Sequence, residues 1–345
     1  MPKQQKIKVA IVGLGHWGSN LVRAFQSDDR ILQVVGVEIN LERRKFISQK
    51  NPKLLIFSCL DECLKDNSID AFVIATPTET HYALGLKCLE ANKHLFVEKP
   101  LSDSSKSARH LVDLANKNKR VLMTGHIFLY NQAVRQMKQL IHQGKIGDVL
   151  HIKSIRSNLG PIRSDVNALW DLAAHDLSIF DCIFNKNPIK VSCHAFSPLG
   201  LQQQDIAIGT LEYSPTQTAT FFVSWLDPVK IRQVTVIGDQ KMLVFDDMKQ
   251  DNPLTIYDKR VKLMSSKDNL NSIKGAKSPI EFHVGDTYSV PINKTEPLTE
   301  ECRDFINCIF SRQNPQSDGK NGLRIVSQLE ALVKSYSQNG ASIKL

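Results

Sequence analysis

The sequence predicts an α/β chain of two domains: a doubly wound parallel sheet over residues 1–125, then a second α/β domain with a mostly antiparallel sheet over residues 126–345. Three observations carry that expectation. Through the first third, short apolar runs alternate with helical patterns, the mark of parallel β-α-β units covered on both faces. A glycine-rich turn, GLGHWG at residues 13–18, joins the first such run to the first helix. Beyond Gly125 the alternation stops, and strands punctuated by turn residues dominate. A length of 345 residues suits two domains of roughly 100–200 residues each.

Taken in order, Lys6 to Val12 reads as the first strand and Leu32 to Val37 as the second. Further apolar runs occupy Ala71 to Ala75, Leu95 to Val97 and Val121 to Met123, with helical patterns at His81 to Ala91 and Ser104 to Asn116 between them. Right-handed crossovers between such strands build a doubly wound sheet. Gln132 to Gln143 is a helix stopped at Gly144, and Val149 to Arg156 is extended. Leu169 to Phe184 reads as a helix with Leu172, Ile179 and Ile183 inward. Strands follow at Lys190 to Phe196, Asp205 to Tyr213, Thr218 to Trp225, Arg232 to Ile237 and Met242 to Phe245. Ser214-Pro215, Asp227-Pro228 and Gly238-Asp239 separate them as turns. Residues 246–295 are polar and carry no periodicity that assigns them. Two helices, Thr299 to Phe310 and Gly322 to Ser337, come last.

Composition excludes several function classes. Apolar residues at 42% and charged residues at 23% are ordinary for a globular chain. Lys and Arg outnumber Asp and Glu by 44 to 35, for a formal net charge of +9. The basic residues are dispersed. Their densest run, Arg43-Arg44-Lys45, has no interleaved aromatics, so no nucleic-acid partner is expected. An anionic small molecule remains compatible with the charge. The seven cysteines are odd in number and include no C-x-x-C pair, so neither a disulfide framework nor a zinc site is expected. No H-x-x-x-H or H-E-x-x-H spacing points to another metal. No apolar run approaches the ~20 residues that span a bilayer, and MPKQQK lacks a signal region. A cytoplasmic protein with no membrane partner is the expectation.

Gly13, Gly15 and Gly18 match G-x-G-x-x-G in the context that gives the pattern meaning, after the strand KIKVAIV and at the opening of a helix. Gly13 permits the tight turn, Gly15 lets backbone N–H groups approach a pyrophosphate, and Gly18 lets the helix pack close to the strand. The helix N-terminus adds partial positive charge for the phosphates. His16 and Trp17 complete this cofactor-side turn. Glu38 stands 20 residues after Gly18, at the end of the second strand. A carboxylate there accepts hydrogen bonds from the adenosine ribose and repels a 2′-phosphate, so NAD is expected over NADP. Arg43 and Arg44 temper this, being the residue type that holds such a phosphate.

Ala75-Thr76-Pro77-Thr78 and Glu98-Lys99-Pro100 each end a strand, at the carboxyl edge where ligands bind in open α/β sheets. Asp171 and His175 lie four apart in an expected helix and so share a face. With GLGHWG, IATPTETH, HLFVEKPLS, GH-x-F-x-YN at Gly125 to Asn131, GKIGDV, WDLAAHD and EPLTEECRDFI, the chain resembles the Gfo/Idh/MocA oxidoreductases over nearly its whole length. The resemblance implies a Rossmann domain followed by an α/β domain built on an open, mostly antiparallel sheet. It implies that Lys99 hydrogen-bonds the reacting hydroxyl and polarises the carbonyl it becomes. His175 would be general base in oxidation and general acid in reduction, a task imidazole suits because it titrates near working pH. Asp171 would bind a substrate hydroxyl and tune His175. Thr76 and Pro77 would line the nicotinamide ribose, Glu98 and Lys99 would border the cofactor, and the Lys99–Pro100 bond would be cis. Asp176 and Trp170 read as structural.

The stretch SNLGPIRSDVNALWDLAAHD is similar to the subgroup acting on nucleotide-linked sugars, such as UDP-N-acetylglucosamine 3-dehydrogenases. Arg156, Asn158 and Arg163 then become candidates to bind a diphosphate or sugar hydroxyls, with His126 and Asp171 completing the substrate set. The implied reaction is hydride transfer between nicotinamide and a secondary alcohol, C3, of UDP-N-acetylglucosamine or its uronic acid. Three other readings stay open: a dehydrogenase of free polyols or aldoses of inositol or glucose type, a deoxysugar ketoreductase, and, more distantly, a non-catalytic cofactor-binding regulator. The antiparallel sheet needs its second face covered, and the resemblance implies that paired sheets do this in a homodimer or homotetramer.

Overall fold

A computed structural model describes residues 6–163, 165–263 and 280–345. The chain divides into two compact units. One comprises the chain up to Asn131 together with Thr295–Glu330; the other comprises Gln132–Lys294 together with Ala331–Leu345.

The first unit alternates strand and helix: β1 (Ile7–Val12), α1 (His16–Gln26), β2 (Ile31–Val37), α2 (Leu41–Lys50), β3 (Leu55–Phe57), α3 (Leu60–Cys63), β4 (Ala71–Ile74), α4 (Thr78–Glu90), β5 (His94–Glu98), α5 (Ser105–Lys117) and β6 (Leu122–Gly125). Among the described residues these strands form a six-stranded sheet, parallel throughout, in the order β3-β2-β1-β4-β5-β6. The central strands are apolar at nearly every position because helices cover both faces; all four residues of β4 are buried. In α1, Gly18, Leu21, Val22 and Phe25 recur at i, i+3, i+4 and i+7 and all are buried. Strand order reverses between β1 and β4, so their carboxyl ends flank the crevice where such sheets bind ligands. The expected α/β class is therefore the observed one.

The second unit opens with α6 (Gln132–His142), β7 (Val149–Leu159), a π-helical turn at Leu169–Ala173 and α7 (Ala174–Phe184). Strands β8 (Lys190–Phe196), β9 (Ile206–Ser214), β10 (Gln217–Ser224), β11 (Leu226–Gly238), β12 (Met242–Asp246), β13 (Leu254–Leu263) and β14 (Ile280–Val290) follow. The chain then runs through α8 (Pro297–Ser311) of the first unit, α9 (Gly319–Ser337), which crosses the boundary at Glu330, and β15 (Ile343–Lys344) of the second. The sheet runs β14-β13-β12-β11-β7-β10-β9-β8-β15, with β7 and β10 as its parallel pair among the described residues. Alternation is clean. Ala207, Leu211, Ala219, Phe221, Val223, Val234 and Val236 are buried on one face. The in-register row Ile208, Phe222 and Ile155 lies on the other, where Ile208 is 44% exposed.

Two features lay outside the reach of the sequence patterns. α8 belongs with the first unit, because Phe305 meets Phe25 and Phe96 edge-on at 6.3 and 5.7 Å between ring centroids. The unassigned span 246–295 holds β13 and β14, whose outer part carries apolar side chains that stay exposed, Phe282 at 74% and Val284 at 73%. Residues 264–279 of that span lie outside the described residues. Among the described residues no helix is long and apolar enough to cross a membrane, and no group of three or more His, Cys, Asp or Glu side chains is arranged to hold a metal.

Candidate active site

In the first unit the candidate residues gather at the carboxyl edge of the parallel sheet. Gly13 has φ +88°, and a β-carbon there would sit 2.7 Å from the Ala75 carbonyl oxygen. One on Gly18 would collide with the Gly13 carbonyl oxygen. Only glycine allows this turn to pass the end of β4 and let α1 pack down. Gly15, by contrast, faces open space, and neither a side-chain cap nor a first-turn acidic residue blocks the start of α1. Those features suit a dinucleotide pyrophosphate.

Glu38 lies at the end of β2. Its carboxylate accepts the backbone N–H of Leu14 and of Asn40, each at 3.0 Å. Arg43 donates from Nε to the Leu14 carbonyl at 2.9 Å, and Arg44 donates to the Glu38 carbonyl at 2.7 Å. Both arginines thus brace the backbone around Glu38. Thr76 and Pro77 stand at the mouth of β4, with the Thr76 and Thr80 hydroxyls 2.6 Å apart. His81 bridges the two strand ends: its ring nitrogens lie 2.9 Å from the Thr76 carbonyl and 2.8 Å from the Pro100 carbonyl. That contact gives His81 a structural task.

Glu98 ties the glycine-rich turn to the end of β5. Trp17 donates its indole N–H to one carboxylate oxygen, and the Lys99 backbone N–H donates to the other at 3.3 Å. A β-carbon at Gly125 would fall 2.8 Å from that carboxylate, so glycine is needed on β6. Burial pushes the Glu98 carboxyl up to about 7 against the opposing pull of Trp17 and Lys99. The Lys99–Pro100 peptide is cis. His126 follows β6, fully buried, and neither ring nitrogen has a hydrogen-bond partner among the described residues. Burial, and then the charge on Lys99, push it down to about 3, so it is a neutral imidazole. Glu301 of α8 is also fully buried without a hydrogen-bond partner among the described residues, and burial and then Glu98 raise it well above the usual carboxylate range. Nothing in the residue pattern singled out Glu301, since acidic residues on a C-terminal helix are ordinarily solvated.

The second unit holds a cavity of about 550 Å³ beside α7. Asp171, His175, Arg156, Asn158 and Trp225 all line it. Asp171 sits in the π-helical turn and His175 in the first turn of α7, so the two share this wall although the helix changes pitch between them. Such π insertions often mark functional sites. Asp171 accepts Arg163 Nη1 at 3.1 Å and the Trp225 indole N–H at 3.4 Å. Arg163 also pairs with Asp165 at 2.6 Å, so its charge is spent on two carboxylates. Arg156 is buried and forks onto Asp176, with Nη2 at 2.9 Å and Nε at 3.1 Å. Burial raises Asp176 while Arg156 works against it. The Asn158 amide donates to the Gly160 carbonyl. Lys230 and Arg232 of β11 also line the cavity, and sequence patterns missed both.

Comparison with known proteins agrees with this geometry. Residues 7–126 match the model of an oxidoreductase family with an NAD-binding Rossmann fold, and residues 134–244 match the Gfo/Idh/MocA C-terminal domain. The chain belongs to the Gfo/Idh/MocA family. As a member it is an oxidoreductase, and its first unit is an NAD-binding domain. UDP-N-acetylglucosamine 3-dehydrogenase of Acidithiobacillus ferrooxidans is 23% identical over 96% of this chain and 99% of its own. Myo-inositol 2-dehydrogenase of Thermotoga maritima is 22% identical over 98% of each. An uncharacterized oxidoreductase of Streptococcus pneumoniae is 32% identical, but over 44% of this chain and 40% of its own length. A crystal structure from Magnetospirillum magnetotacticum superposes with a TM-score of 0.78 at 25% identity, covering 95% of this chain and 100% of that one.

Proposed function

We propose that this Gfo/Idh/MocA member oxidises a secondary alcohol, at C3, of a nucleotide-linked sugar such as UDP-N-acetylglucosamine or its uronic acid. The observation that carries the reading is the cavity wall on which Asp171 and His175 stand together among cationic side chains. Support also comes from the near full-length likeness to a UDP-N-acetylglucosamine 3-dehydrogenase.

Bound NAD would supply the hydride acceptor. The chain's own residues supply the proton chemistry and the orientation. Lys99 donates a hydrogen bond to the reacting oxygen, stabilising negative charge as the carbonyl forms. His175 takes the hydroxyl proton. Asp171, oriented by Arg163 and Trp225, accepts a neighbouring substrate hydroxyl and tunes His175. Glu38 receives the adenosine ribose, Thr76 and Pro77 border the nicotinamide ribose, and His126, Arg156, Asn158 and Arg163 are assigned to the substrate side. The working form is a homodimer or homotetramer in the cytoplasm.

The test is NADH formation at 340 nm with UDP-N-acetylglucosamine and its uronic acid, set against myo-inositol and glucose. Turnover of sugar nucleotides supports the reading. Turnover of inositol or glucose alone replaces it with the free-polyol reading, which the likeness to a myo-inositol 2-dehydrogenase favours.

A further inference from the structure

The cavity beside α7 is bordered by an irregularity in the sheet. Along β7 and β11, Leu226 pairs with Leu159 and Ile231 with Ser157. Asp227, Pro228, Val229 and Lys230 therefore stand opposite Asn158 alone. Pro228 cannot donate to the ladder, which fits a bulge and not a regular strand. Bulges of this kind re-aim side chains next to sites. Here the bulge carries Pro228 and Lys230 to the cavity.

The charges around the cavity are unequal in their commitments. Arg156 is balanced by Asp176, Arg232 by Asp247 at 3.3 Å, and Asp171 by Arg163. Lys230 has no hydrogen-bond or ion-pair partner among the described residues, and it is exposed. An ammonium at a cavity rim with no carboxylate committed to it can pair with an anionic group.

We propose that the Asp227–Lys230 bulge is a specificity element whose Lys230 binds an anionic substituent of the substrate, a phosphate or a carboxylate. This rests on the cavity being the substrate site. An anionic substituent sets the substrate class apart from neutral polyols and aldoses. The two sources of the anion, the diphosphate of a sugar nucleotide and the carboxylate of a uronic acid, share this chemistry.

Calorimetric titration of NAD-loaded protein separates them. The ligands are UDP-N-acetylglucosamine, glucuronate and myo-inositol, and the proteins are wild type, Lys230→Gln, Lys230→Glu and Lys230→Arg. Lys230→Gln should weaken the anionic ligand about tenfold relative to inositol, Lys230→Glu should weaken it further, and Lys230→Arg should stay within about threefold of wild type. Loss for UDP-N-acetylglucosamine assigns the diphosphate, and loss for glucuronate assigns the carboxylate. Equal effects on anionic and neutral ligands, no effect on either, or no binding of either anion by the wild type would overturn the proposal. Turnover stands apart from this readout: inositol oxidation without sugar-nucleotide oxidation would remove the proposed reaction, while the Lys230 assignment is decided by binding.

Discussion

Glu98 is held at three points, by the Trp17 indole, by the Lys99 backbone and by the close approach of Gly125. Its proton affinity is higher in the folded chain than in the unfolded one, because burial disfavours the carboxylate. A group raised in this way contributes stability fully below its ordinary value of 4.5, and the contribution is lost as pH rises through about 7. Lys99 pulls the Glu98 carboxyl down, and Glu98 in turn raises Glu301. Denaturant unfolding of wild type and Glu98→Gln between about pH 5 and pH 8 should show the wild-type advantage shrinking as pH rises; a pH-independent difference would exclude this role. For Lys99→Ala and His175→Ala, turnover should each fall by about 10²–10⁴-fold, with NAD affinity by titration nearly unchanged. Full activity in either variant removes that residue from the chemistry. At this scale the sequence was informative where backbone geometry imposes a fixed residue, as at Gly13 and Gly18. It was silent on partners. That Arg163 is spent on Asp165 and Asp171, or that Trp17 reaches Glu98, depends on side chains brought together from distant positions.

Within elements, the four-residue spacing of Asp171 and His175 anticipated a shared face, and both do line one cavity. The pitch change at Leu169–Ala173 was not legible, because a π insertion has no residue signature in the stretch ALWDLAAHD. Asp227-Pro228 was visible as a break, but a turn and a bulge use the same residues; only pairing with β7 tells them apart. α7 is anchored to β7 by the buried Arg156–Asp176 pair. Removing one partner strands a buried charge, so Asp176→Ala should cost about 3–5 kcal/mol in chemical denaturation. A loss under about 1 kcal/mol would show the pair to be solvated.

Across the molecule, alternating runs in the first third translate directly into the β3-β2-β1-β4-β5-β6 sheet, since strands buried on both faces must be continuously apolar. β13 and β14 resisted reading for the opposite reason: much of their apolar surface stays in solvent in the single chain, so burial leaves no pattern. The open face of the large sheet carries Ile208, Phe222 and Ile155 in register. If self-association covers this face, light scattering should give at least twice the protomer mass, and Ile208→Lys should shift it toward the monomer. A monomeric wild type would exclude the proposed oligomer. The central claim, that NAD and a sugar carbinol exchange hydride on this chain, is tested most directly by isotope transfer. UDP-N-acetylglucosamine deuterated at C3 should yield NADH one mass unit heavier. Unlabelled NADH formed from that substrate, or no NADH at all, would contradict it.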